Sequence, residues 1–192
     1  MRAYLEGKNN NHYINIIKKK AQELGVNLRF YNSKDSLARV VNTVRWPNYN
    51  FSRRKWEFIN ATRKGDLRIS RFVYFGHGAY GSIVPNYPFK HHGYLGCGTL
   101  HNYAFSITGN DIKNGIFRKD VFIKSAIAIS CSCRTSGKEK ENEESFSSIW
   151  ASYFGHVMYG LTGRMDYSNP KSPVPSNDPS APSQWTPSNP FE

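Results

Sequence analysis

The sequence predicts an α/β fold, a mostly parallel sheet with helices on its faces. Three observations carry the prediction. Two strongly apolar runs, RISRFVYF (68–75) and FIKSAIAISCSC (122–133), have strand length. The stretches HYINIIKKKAQELG (12–25) and SFSSIWASYFG (145–155) repeat apolar residues at helical spacing. Strands and helices alternate along the chain, the pattern of βαβ units.

Tyr13, Ile16, Ile17, Ala21 and Leu24 share one helical face, and Gly25 stands where a C-terminal cap belongs. VNLRFY (26–31) alternates apolar and polar residues, which predicts a short strand. In SKDSLARVVNTV, Ser33 or Asp35 is the N-cap of a short helix. Residues 45–66, with Pro47, Asn48, Asn50 and Gly65, predict a loop holding a helical turn near Trp56–Ile59. After the strand at 68–75, residues 79–110 predict a long irregular region.

The stretch 122–133 is a buried strand, and KEKENEE (138–144) a charged surface loop. Phe146, Ile149, Trp150, Tyr153 and Phe154 then make an aromatic helical face ending at Gly155. HVMYGLTG (156–163) is a further strand. The last segment, 168–192, is rich in Pro, Ser and Asn and predicts an extended or flexible tail, with Trp185 and Phe191 able to dock on the body. The expected organisation is one globular domain, 1–167, and a C-terminal tail, 168–192.

The chain has 192 residues, a length at which one domain buries a substantial core. It contains no apolar run of about 18 residues, the length a spanning helix needs, and its first 20 residues lack a classical signal peptide. Three cysteines, Cys97, Cys131 and Cys133, are too few for a disulfide scaffold and predict free thiols. The net charge of +12 concentrates in KKK (18–20), SRRK (52–55) and RK (63–64). Such charge attracts nucleic acid or anionic surfaces without specifying either, and a solvated basic face is a plainer reading than a polyanion-binding patch.

In parallel α/β sheets, ligand-binding groups gather at the carboxyl ends of the strands. His77 and Cys133 both fall just past strand ends. Glycines on either side of His77 allow close backbone approach and leave a backbone N–H able to point into a site. A histidine there, with a thiol from a neighbouring strand, meets the needs of a general base and an activated nucleophile. Cys131 and Cys133 are two apart, so they share a face. Cys133 stands at the strand exit and is the expected reactive thiol, whereas Cys131 packs as a small hydrophobe. The plainer alternative makes both cysteines packing residues and His77 a turn residue.

The strand ending in Gly-His-Gly (YFGHG, 74–78) and, 56 residues after His77, a second strand ending in cysteine (ISCSCRTSG, 129–137) resemble the caspase-like, clan CD cysteine peptidases. That group includes caspases, metacaspases, legumains, gingipains, separases and CHAT peptidases. A His-to-Cys interval of about 50 residues is a caspase feature. The resemblance covers about residues 13–167. Many relatives carry a single Cys followed closely by Gly, whereas this chain has Cys-Ser-Cys-Arg-Thr-Ser-Gly. The run 145–167 also resembles caspase-like modules at the C-termini of bacterial Rhs-type polymorphic toxins.

The resemblance implies a caspase-like three-layer sandwich and cysteine endopeptidase activity on a protein substrate, with no cofactor. Cys133 would attack the scissile carbonyl, and His77 would polarise the system and protonate the leaving amine. The backbone N–H groups of Gly78 and Cys133 would form the oxyanion hole. An acidic residue in the specificity pocket of relatives selects Arg or Lys, a role open to Asp166; Arg164 beside it favours the opposite choice. Lys138 and Lys140 fall where caspases are cut between their two parts. The toxin-like resemblance implies export within a larger protein, action in a target-cell cytosol and a cognate immunity protein as partner.

Three other readings remain in view. His91, His92, Cys97 and His101, with Cys131 and Cys133, offer metal ligands, yet no pair has the spacing usual for zinc. The positive charge and the aromatics suit a nucleic-acid-binding or nuclease toxin, but no paired-carboxylate constellation accompanies them. A catalytically silent caspase-like interaction module is the third alternative.

Overall fold

A computed structural model describes residues 10–26, 28–29, 31, 33–43, 45–50, 55–60, 68–85, 106–166, 174–176 and 182–190, with backbone alone at 10–13, 45–50 and 55–60. Helix α1 (Asn10–Glu23) ends at Gly25, whose φ of 63° is the expected left-handed cap. Helix α2 (Lys34–Asn42) starts at Ser33, which forms a reciprocal capping box with Ser36.

Strands β1 (Arg45–Asn50) and β2 (Lys55–Asn60) pair antiparallel from Arg45–Asn60 to Asn50–Lys55. This corrects the expected loop and helical turn. Trp46, Tyr49, Trp56, Phe58 and Ile59 are strand formers, and Pro47 is tolerated because a strand of a two-stranded sheet has an edge that needs no donor. The expected strand at 26–31 is corrected as well. Val26, Leu28, Arg29 and Tyr31 lie in no strand. Side-chain bonds hold this segment beside the sheet instead: the Tyr31 hydroxyl donates to the Phe75 carbonyl at 2.7 Å, and the Arg71 guanidinium to the Leu24 carbonyl.

Strand β3 (Ile69–Phe75) leads through Gly76 into a small antiparallel sheet of β4 (His77–Ala79), β5 (Ser82–Val84) and β6 (Ile107–Thr108). Part of the region expected to be irregular is therefore strand; residues 86–105 lie outside the described residues. Helix α3 (Gly109–Lys113) and a 3-10 turn (Lys119–Val121) lead into β7 (Phe122–Cys131). After the exposed loop 138–144 come α4 (Phe146–Phe154), β8 (Met158–Leu161), the short strands β9 (Met165–Asp166) and β10 (Val174–Pro175), and β11 (Trp185–Ser188).

The main sheet has the order β11-β8-β7-β3. β3 and β8 each run parallel to β7, while β11 is antiparallel to β8. The architecture is α/β with a mixed, mostly parallel sheet. β3 and β7 slip out of register between Ile69 and Arg71, whose partners are Phe122 and Ile127. The surplus on β7 includes Lys124 and Ser125, which are exposed.

β11 belongs to the segment expected as a tail. Its residues are extended as expected, but they form the edge of the main sheet, so the boundary at 167/168 does not separate tail from body there. Pro187 is compatible with an edge strand.

Alternation along β3 and β7 divides the core in two. Phe72, Tyr74, Ala126 and Ala128 pack with Leu37 and Val41 of α2, Ile112 of α3, and Phe146 and Trp150 of α4. Phe75 and Cys131 pack with Ile17 of α1, Leu161 and Met165, joined by Val73, Ile129 and Cys133. Helices thus cover both faces. Trp150, fully buried, stacks on Phe72 at 5.0 Å between ring centroids and is the centre of the larger cluster. The expected aromatic face of α4 is the buried one, and the helix stops at Gly155 with φ 72°.

Candidate functional site

The parallel register of β3 and β7 places Phe75 opposite Cys131. Two residues further along each strand stand His77 and Cys133, so the two sequence-derived candidates leave the sheet at the same level. Gly78 fixes the approach. A Cβ at this position would meet the Cys133 carbonyl oxygen at 2.5 Å and Ser132 Oγ at 2.6 Å, a contact that only glycine tolerates.

The glycine on the other side of His77 answers a different crowding. A Cβ on Gly76 would stand 2.5 Å from Tyr74 Oη and 2.6 Å from Tyr31 Oη. Both tyrosine hydroxyls are committed to the main chain around the histidine. Tyr31 donates to the Phe75 carbonyl, and Tyr74 donates to that of His77 at 3.0 Å. The Gly-His-Gly sequence thus allows close approach on both sides, without a left-handed φ at either glycine.

His77 is half-buried, and burial holds its imidazole down to about 4. It is neutral at pH 7 and has a lone pair able to take a proton. The two thiols differ as their positions predict. Cys131 is 1% exposed, and burial pushes its thiol up to about 12, partly offset by the charge of Lys20. A thiol so placed stays protonated and inert. Cys133 is half-buried, and its Sγ accepts a hydrogen bond from the Met165 N–H at 3.3 Å.

The turn after Cys133 is anchored to the exit of β8. Arg134 N–H donates to the Gly163 carbonyl at 2.7 Å and Ser136 N–H to that of Leu161 at 2.9 Å. Arg134 has φ 59°, the left-handed region, at a cost of roughly 1–2 kcal/mol for a residue with a Cβ. Its guanidinium lies over the Tyr80 ring, 5.0 Å from the centroid. Hydroxyls brace the turn from behind. Ser136 Oγ lies 2.6 Å from Ser147 Oγ, which lies 2.9 Å from Ser188 Oγ on β11.

Asp166 is half-buried on β9, opposite Val174 of β10 and one residue past the Met165 that bonds Cys133. Asp166 and Arg164 both have further contacts within the chain, and the Arg164 carbonyl accepts from Ser176 N–H. Lys138 and Lys140 are exposed. Cys97, His91, His92 and His101 lie outside the described residues, among which no group of three or more His, Cys, Asp or Glu side chains could hold a metal ion. No described helix is long and apolar enough to cross a membrane.

A cleft of about 320 Å³ lies elsewhere, along β3 between α2 and Gly25, Val26, Leu28, Arg29 and Tyr31, and includes neither His77 nor Cys133. The feature of this turn that the sequence does not announce is the left-handed backbone of Arg134. Its neighbour in sequence was singled out, but a left-handed arginine leaves no signature where glycine or asparagine is the usual occupant.

The chain matches no family model, no curated protein and no solved structure.

Proposed function

We propose that the chain is a caspase-like cysteine endopeptidase with His77 and Cys133 as its catalytic dyad. The observation that supports this most strongly is the shared exit level of His77 and Cys133 from two parallel neighbouring strands, held by the contact of Gly78 with Cys133. A sheet parallel through β3, β7 and β8, antiparallel at β11 and covered on both faces agrees with a caspase-like three-layer sandwich.

The chemistry starts from the neutral imidazole of His77. The neutral imidazole of His77 accepts the proton of the Cys133 thiol as sulfur attacks the scissile carbonyl and the C–S bond forms. The carbonyl electron pair moves to oxygen, and the tetrahedral intermediate then expels the amine, which takes its proton from the imidazolium. Water hydrolyses the thioester with His77 again as base. Such acid–base assistance is worth roughly 10²–10⁴-fold.

Gly78 suits the oxyanion role. The two-residue turn Tyr80–Gly81 makes Ala79–Ser82 the hydrogen-bonded pair of the hairpin, so Gly78–Ile83 is the next, non-bonded pair. The Gly78 N–H therefore turns away from β5. A donor aimed at the developing oxyanion contributes about 10²–10³ in rate.

The test is a fluorogenic peptide panel varied at the residue preceding the scissile bond, run with wild type, C131A, C133A and H77A. Loss of cleavage in C133A and H77A with retention in C131A is the expected result. Silence of the wild type across the panel, with Cys133 unlabelled by a thiol-reactive probe, refutes the reading.

A further inference from the structure

We propose that Tyr31 and Tyr74 are positioning residues for His77: their hydroxyls clamp the main-chain carbonyls just before and just after the Gly76-His77 pair and so hold the imidazole in its half-buried place. The inference rests on the reading of His77 as the catalytic base and assigns what keeps it there.

The strand ladders leave one link between them. The parallel ladder of β3 with β7 ends at Phe75 and Cys131, and the antiparallel ladder of β4 with β5 begins at His77 and Val84. Gly76, in no strand, is the single residue that joins the two sheets. Backbone rotation is least restricted at glycine. Rotation here would swing the hairpin that begins with His77 against the sheet that carries Cys133.

Two hydroxyls oppose that rotation. Tyr31 Oη donates to the Phe75 carbonyl at 2.7 Å, and Tyr74 Oη donates to the His77 carbonyl at 3.0 Å. The Tyr74 bond reaches forward three residues and closes the strand exit into a turn. The Tyr31 bond spans 44 residues and ties the exit to a residue that lies in no strand. The two rings stack, 5.8 Å between centroids and 21° apart in plane. Both hydroxyls lie against Gly76, where a Cβ would meet them at 2.5 and 2.6 Å. Tyr74 is 1% exposed, and burial pushes the Tyr31 phenol up, so Tyr31 stays a donor at neutral pH.

Packing alone would not need the hydroxyls. Phenylalanine at each position would stack equally well. What the hydroxyls add is a hold on the main chain, and the main chain they hold leads into and out of His77. Misplacement of a reacting group by about 1 Å costs about 10²-fold in rate, so a hold of this kind bears directly on the proposed chemistry.

Two variants test the assignment, Y31F and Y74F, each of which removes a hydroxyl and keeps the ring. The His77 ring resonances, assigned by comparison with H77Q, report the position of the imidazole by NMR without any need for cleavage. Burial holds the wild-type imidazole down to about 4, so its signals should stay still between about pH 7 and 5. In the variants the loosened exit opens the ring to water, and its titration midpoint should rise above about 5, toward the ordinary 6.5. His156, held down to about 4 by burial beside Trp150 and Phe154, is the reference for general loosening and should behave as in the wild type. Y31F alters a half-buried side chain outside the sheet, so it reports even where Y74F does not fold. His77 titrating at its wild-type midpoint in the folded variants, or His156 moving together with it, overturns the assignment.

Peptide cleavage supplies the second readout. In both variants kcat should fall by at least about 10-fold while KM changes less than about 3-fold, because the hydroxyls bond the main chain and not the substrate. A raised His77 midpoint in a protein that cleaves no peptide keeps the tyrosine clamp and discards the peptidase reading. Reduced cleavage with an unmoved His77 discards the clamp and leaves the peptidase reading in place.

Discussion

The Cα of Gly78 faces the carbonyl of Cys133 so closely that a methyl group on it would lie 2.5 Å from the oxygen. The two strand exits cannot separate to admit the methyl without moving either the β4 hairpin or the turn bearing the thiol. Gly78→Ala should therefore lower peptide cleavage by at least 10-fold. Overpacking of this kind typically costs about 1–3 kcal/mol, so the fold should survive with a lower urea midpoint. Full activity with an unchanged midpoint would show that the contact does not hold the pair in place.

Ser147 Oγ stands within hydrogen-bond distance of Ser136, Ser145 and Ser188 hydroxyls, at 2.6, 3.1 and 2.9 Å, and is fully buried. Removing it takes a partner from all three; Ser136 keeps the Thr186 carbonyl and Ser145 keeps the Ser148 N–H, so the Ser188 hydroxyl is the buried group left stranded. Such a loss is worth about 1–3 kcal/mol. Ser147→Ala should destabilise the protein by about that amount, measured by urea denaturation. It should also accelerate amide exchange in residues 134–137, because Ser136 loses its brace.

Acid should unfold the protein through its histidines. His156 is 3% exposed; its Nε2 accepts the Trp150 indole N–H at 2.9 Å, and its Nδ1 has no partner among the described residues. Burial holds this imidazole down to about 4, as it does that of His77. The folded pKa lies below the unfolded value near 6.5, so the unfolded chain binds the proton more readily. Stability is fully present above about pH 6.5 and is lost as pH falls toward about 4, by up to about 3 kcal/mol for His156. Protonation at Nε2 also removes the acceptor for Trp150. His156→Gln keeps an amide able to accept that bond and cannot titrate. Its urea midpoint should depend less steeply on pH between 6.5 and 4 than that of wild type; an equal slope would place the proton uptake elsewhere.

The parts of the fold legible in the sequence were those decided locally. The spacing of Phe146, Ile149, Trp150, Tyr153 and Phe154 dictates α4 because one face of a helix must be buried. The runs at 68–75 and 122–133 are too apolar to lie anywhere but in a covered sheet. Residues 26–31 alternate just as well, but alternation does not reveal whether a neighbouring strand offers its ladder, and here tyrosine and arginine side chains make the attachments instead. Pro47 and the asparagines concealed the β1–β2 hairpin, whose pairing is set between the strands and not within them. At the site, the identities of His77 and Cys133 could be read, while their common level could not. That level follows from Phe75 lying opposite Cys131, a register established by residues 56 apart in the chain.

The C-terminal strand shows how a segment with the composition of a loose tail can act as a structural edge. β11 supplies the antiparallel neighbour of β8 over Trp185–Ser188, and the Thr162 N–H donates to the Gln184 carbonyl at 3.2 Å. Ser136 Oγ bonds the Thr186 carbonyl at 3.3 Å, and Ser188 is tied to Ser147. A chain ending at residue 181 would leave the β8 edge unpaired and deprive the turn after Cys133 of two supports. Ladder bonds are worth about 1 kcal/mol each, and an uncovered edge recruits other chains. The shortened protein should unfold at lower urea and elute as aggregates in size-exclusion chromatography, and its Cys133 should lose its proposed reactivity while the thiol itself is intact. A monomeric truncation with wild-type stability and labelling rate would mean that β11 merely decorates the sheet. The opposite result would make the last strand part of what holds the thiol in position, although it lies some 50 residues further along the chain.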